Sequence, residues 1–134
     1  MSRKQVVNLG MTEEARVLTK ELLRHHEQVC QKLGVKLPDD VTDGMINQSI
    51  ILYGVLCQRA GVPFLTRGVG QFLREVAEWC EQNDWPPLNA LAVNVETRMP
   101  GEGYDGAPGC DLLSWPEEVR RCIAFDGYPP SAQI

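Results

Sequence analysis

No stretch of the chain approaches the ~20 consecutive apolar residues that a membrane-spanning helix requires, and the opening dozen residues are too polar for the apolar part of a signal peptide. A cytoplasmic protein without a membrane partner is therefore the expectation. A disulfide framework is also missing. Five cysteines, Cys30, Cys57, Cys80, Cys110 and Cys122, are scattered, odd in number and never paired as C-x-x-C. Reduced thiols, two or three of them in the core, are expected. Positive charge is scarce as well: the formal net charge is −5. Residues 1–50 balance seven Lys/Arg against seven Asp/Glu, while residues 51–134 set six Arg against eleven acids. Nucleic-acid binding relies on cation–phosphate contacts, so this chain could hold DNA only through a local arginine patch. Gly101-x-Gly103 lacks the Lys-Ser/Thr and the following helix of a phosphate loop. Internal repeats and low-complexity tracts are absent, and 134 residues suit one domain with a single core.

What is present reads mainly as helix. Residues 1–11 form an arm or edge strand around Val6-Val7. Thr12 followed by Glu13-Glu14 is a helix start, a hydroxyl cap with acids in the first turn. Ala15, Leu18, Leu22, Val29 and Leu33 then recur as one apolar face, and Gly34 closes the helix. His25 and His26 fall at its polar boundary. His26 and Cys30 are four apart and could seed a metal site, but no second pair accompanies them, so a solvated helix without metal is the reading. Val41 to Leu52 is ambiguous between a helix capped by Thr42 or Asp43 and a short strand at Ser49–Leu52. A second helix from about Leu65 to Gln82 carries the stripe Val69, Phe72, Leu73, Val76, Trp79 and Cys80, and stops at Asn83-Asp84-Trp85-Pro86-Pro87. Ser114-Trp115-Pro116-Glu117 has the pattern of a capping box opening a final helix through Val119, Cys122 and Ile123, before an irregular Gly127–Pro130 tail. The expected core is Leu18, Leu22, Leu56, Val69, Phe72, Leu73, Val76, Leu91, Val93 and Ile123.

The chain is organised around Ser49–Tyr104. An apolar run, a short helix Gly54–Ala60, a turn at Gly61-Val62-Pro63, the longer helix, the extended piece Leu88–Val95 and a return at Pro100–Tyr104 follow one another. That is the order of a winged helix-turn-helix. The expected fold class is α+β, mostly helical, with a winged helix-turn-helix core and extra N- and C-terminal helices. Its parts are an arm and helix over residues 1–40, the core over 41–107, and a helix and tail over 108–134.

Within that core, Tyr53-Gly54-Val55-Leu56-Cys57-Gln58-Arg59-Ala60-Gly61-Val62-Pro63 runs into Arg67-Gly68-Val69-Gly70, and Gly101-Glu102-Gly103-Tyr104 follows downstream. These residues, and the fourteen-residue step from Tyr53 to Arg67, resemble the C-terminal domain of O6-alkylguanine-DNA alkyltransferases and the inactive alkyltransferase-like proteins. The resemblance implies a non-enzymatic module that binds duplex DNA through the second helix of the helix-turn-helix. Arg67 would enter the base stack in place of a rotated nucleotide, and Tyr53 would crowd its phosphate. Arg59, Gly68, Gln71 and Arg74 would complete the DNA-facing surface. Asn94, Gly101, Gly103 and Tyr104 would form the wing and its pocket. The family's reactive Pro-Cys-His-Arg has no counterpart in Leu88–Asn94, so no catalytic residue and no cofactor are expected. Two other readings stand beside this one. The acidic second half suits a small regulator or inhibitor of the phage or mobile-element kind, directed at a protein partner. Asn94, Glu96 and Glu102 near the wing would be the residues of an unrecognised enzyme.

Overall fold

A computed structural model of the chain describes residues 10–101, 104 and 114–134. The arm expected over residues 1–9, Cys110, and Glu102 and Gly103 of the expected wing lie outside the described residues. Within them the protein is mostly helical, with five α-helices and one two-stranded parallel sheet. No helix among the described residues is long and apolar enough to cross a membrane.

Helix α1 spans Glu13–Leu33. Thr12 caps it, its Oγ1 accepting from the Ala15 N–H at 3.2 Å. Gly34 ends it at φ 64°, a left-handed conformation that costs glycine little, and returns its N–H to the Cys30 carbonyl. Ala15, Leu18, Leu22, Leu23 and Val29 are buried along one face, against the elements that follow.

The ambiguous segment contains both of its alternatives. Helix α2 spans Asp43–Ser49 under a Thr42 cap, and strand β1, Ile51–Leu52, follows at once. Helix α3 is Tyr53–Arg59. Gly61, at φ 81°, makes the turn. Here the structure departs from a continuous second helix starting near Leu65. Pro63–Gly68 is a 3-10 segment, and helix α4 begins only at Val69 and runs to Gln82. Thr66 turns its hydroxyl onto the Pro63 carbonyl, and glycines at 68 and 70 weaken helical propagation.

The two-stranded ribbon expected of a wing is not found among the described residues. Leu88–Leu91 is a 3-10 turn, and only Ala92–Val93 form strand β2, which pairs in parallel with β1 (Ile51 to Ala92, Leu52 to Val93). Both residues of β2 are fully buried. A strand covered on both faces belongs to a parallel crossover unit rather than to an exposed ribbon. The Asn94 N–H then bonds the Met99 carbonyl, and the Arg98 N–H bonds the Asn94 carbonyl, so the chain turns immediately.

Helix α5, Trp115–Ala124, starts with Pro116 in its first turn. The Ser114 carbonyl, not its hydroxyl, caps it by accepting from Glu117 and Glu118. Trp79, Trp85, Phe125 and Tyr128 meet edge to face or tilted, sealing the end of α4 against the tail. Of the expected core, only Phe72 is not buried. It sits in the first turn of α4, next to a 3-10 segment that buries none of its own residues, so cover runs out there.

Candidate functional site

A cleft of about 750 Å³ opens where the start of α3, the 3-10 segment and the chain after β2 come together. Leu52, Val55 and Val69 supply apolar wall, Gly54 and Gly70 leave room, and Gln58 and Thr66 add uncharged polar groups. Tyr53, Arg67, Asn94 and Gly101 line the same space, so four of the residues singled out in the sequence converge on it. Arg67 is the one charged group among its described lining residues.

Each of the four is placed by local chemistry. Tyr53 opens α3, half-buried, and its hydroxyl accepts the Gly101 N–H at 2.8 Å. Burial pushes the Tyr53 phenol above its ordinary pKa, and the Gly101 bond offsets part of that rise. The phenol therefore stays protonated at neutral pH. Asn94 Oδ1 accepts the Glu96 N–H at 2.8 Å, fixing the turn after β2 and presenting Val95 at the rim, 65% exposed. Arg67 is exposed near the end of the 3-10 segment, and no carboxylate among the described residues reaches it. In water, an unpaired guanidinium at a cleft mouth is available to an anion.

The remaining candidates lie elsewhere. Arg59, Gly68, Gln71 and Arg74 are exposed but do not line the cleft. The charge of Arg59 acts on His25 across on α1, and Arg74 is engaged by a partner. Tyr104 points away, its O–H donating to the buried carboxylate of Glu118 on α5. Gly103 lies outside the described residues. Val95, Thr66 and Gln58 also line the cleft, and no sequence motif assigns them to it.

The His26–Cys30 pair requires a correction. His26 is 5% exposed, not solvated. Its Nε2–H donates to the Cys122 carbonyl at 2.7 Å, and Tyr128 packs edge-on at 4.9 Å. Cys30 Sγ lies 3.3 Å from that nitrogen, but its S–H points to the Ile123 carbonyl at 3.2 Å. Burial lowers the His26 pKa and raises that of Cys30, with Asp126 adding to the rise. His26 Nε2 is already donating to Cys122, the basic Nδ1 lies 3.8 Å from the sulfur, and the S–H is directed at Ile123, so the pair is not arranged as a nucleophile and base. No group of three or more His, Cys, Asp or Glu side chains suited to a metal occurs among the described residues. The other described thiols are fully buried. The Cys80 pKa is pushed up to about 12, and those of Cys57 and Cys122 are also raised, all mainly by burial. None of the described cysteines lines the cleft.

No protein-family model, no curated protein and no solved structure matches the chain.

Proposed function

We propose that this protein is a non-enzymatic DNA-binding module that engages duplex DNA at the cleft mouth, where the chain enters α4. The observation that carries the reading is the exposed Arg67, without a carboxylate partner among the described residues, on the same cleft as Tyr53. The resemblance assigns these two residues complementary roles, and they lie fourteen positions apart on different elements. A side chain that must enter a base stack has to be free of a carboxylate partner of its own. The helix–turn–helix order of α3 and α4 supports the same reading.

The test is a titration of isotope-labelled protein with a short duplex, followed by backbone amide shifts. Perturbation is expected around Tyr53, Arg67, Gly70, Asn94 and Gly101, and Arg67→Ala should weaken binding about tenfold or more. Shifts confined to another surface, or none at low salt, would remove the reading. A protein partner is the second reading. Phe64, 77% exposed, and Val95 give the cleft neighbourhood an apolar rim in an acidic chain. On that reading DNA leaves the spectrum unchanged, and Phe64→Asp abolishes capture of the partner.

A further inference from the structure

Charge sets a limit on what this cleft can do to DNA. Pulling a nucleotide from an intact pair has a free-energy cost, least for one that is mismatched, damaged or already unpaired. A protein offsets that cost through phosphate contacts, contacts to the extruded base and a side chain that fills the gap. Here the phosphate term is small. The net charge is −5, Arg67 is the one charged residue among the described lining, Arg74 already has a partner, and Arg59 lies off the cleft. The cleft itself is preformed. Tyr53 is tied to Gly101, Asn94 is fixed by its own turn, and the β1–β2 pair lies between α3 and the Asn94 turn. Its walls are mainly apolar, suited to the face and edge of an unstacked ring, with neutral polar groups at Gln58 and Thr66.

Resting on the DNA reading above, we infer that the cleft selects a nucleotide already outside the base stack, a bulged or unpaired residue, and does not extract one from an intact pair. Arg67 then holds the flanking phosphate or closes the gap, and the apolar wall receives the free base. Affinity comes from the ring more than from the backbone, so it varies little with salt.

Fluorescence anisotropy of the full chain with a fluorescein-labelled hairpin tests this directly. The hairpin is prepared fully paired and with a single-nucleotide bulge carrying 2-aminopurine. The bulged form should bind at least about tenfold tighter than the paired one, and 2-aminopurine emission should change on binding. The slope of log K against log salt should be shallow, about −1 to −2. Arg67→Ala and Val95→Glu are both surface changes, and circular dichroism checks that each variant folds. Each should reduce the preference for the bulge. Equal affinity for both hairpins overturns the inference and leaves the DNA reading standing. A preference that survives both substitutions overturns it too, because the site is then elsewhere. No binding to either hairpin removes the DNA reading, and this inference with it.

Discussion

Thr12 and Glu75 are 63 positions apart and join the start of α1 to the middle of α4. The Thr12 N–H donates to Glu75 Oε1 at 2.9 Å, and its hydroxyl donates to Oε2 at 2.8 Å. The same hydroxyl accepts from Ala15, so it also serves as the helix cap. Thr12→Ala removes the cap, worth about 1 kcal/mol, and one solvent-screened charge-assisted bond, worth about 0.5–1 kcal/mol at an exposed site. The sum is about 1.5–2 kcal/mol, a fall in Tm of about 5–8 °C for a chain of this length. Glu75→Ala removes both bonds from Thr12 and spares the cap, costing about 1–2 kcal/mol. The bond between the hydroxyl and Oε2 is lost in both variants, so the double variant should show a coupling of about 0.5 kcal/mol or more. Thr12→Ser keeps both functions and should match wild type. The measurement is urea denaturation, read as a change in midpoint at constant m. Additive single variants would mean that the bond between the hydroxyl and Oε2 contributes nothing. A Thr12→Ser variant as unstable as Thr12→Ala would mean that the methyl group, not the hydroxyl, is what matters.

Leu56, fully buried on α3, should lose about 2–5 kcal/mol on truncation to Ala, whereas half-buried Phe72 should lose only about 1–2 kcal/mol; urea midpoints of the two variants would decide, and a reversed order would displace the core from where it is described. His25 and His26 both have pKa values lowered chiefly by burial, so the folded state favours their neutral forms. Their contribution to stability is intact above the unfolded-state value of about 6.5 and is lost as pH falls through the lowered folded values. Tm should therefore drop between pH 7.5 and 5, and His26→Gln, which keeps a donor toward Cys122, should flatten that drop; an unchanged profile would count against His26 as a source. Incubation with DNA carrying a radiolabelled O6-methylguanine should leave every cysteine unlabelled, because none of the described thiols lines the cleft; stoichiometric label in the protein would refute this.

Periodicity made the helices legible. The apolar faces of α1, α4 and α5 and the Thr12 cap could be read from local spacing alone, because each depends on residues within a turn or two. The sheet could not be read that way. Strands β1 and β2 have two residues each, and nothing within Leu88–Val95 announces that Ala92 pairs with Ile51, which lies on the far side of two helices. The same holds for His26. Its burial depends on the Cys122 carbonyl, 96 positions away, and on Tyr128 in the tail, so an amphipathic pattern on α1 placed it at the solvent boundary. Features decided by long-range partners escape such a reading, and so do two local ones, the 3-10 entry to α4 and the missing side-chain cap at Ser114.

The candidate site divides along the same line, and the 3-10 segment explains how. In a continuous α-helix from Leu65, Arg67, Gln71 and Arg74 would stand at i, i+4 and i+7 and share one face, the stripe of a recognition helix. A 3-10 turn holds three residues per turn instead of 3.6. Across Pro63–Gly68 the side-chain directions therefore drift out of register with those of α4. Arg67 turns onto the cleft beside Tyr53, while Gln71 and Arg74 stay on the outer surface of α4, off the cleft. The spacing groups the three, and backbone geometry that spacing does not report separates them. A stripe of that kind lies along a groove and gathers phosphates over its length. On the DNA reading proposed above, a single arginine at a cleft mouth would address one nucleotide, and with so little positive charge behind it, that nucleotide would have to arrive unstacked.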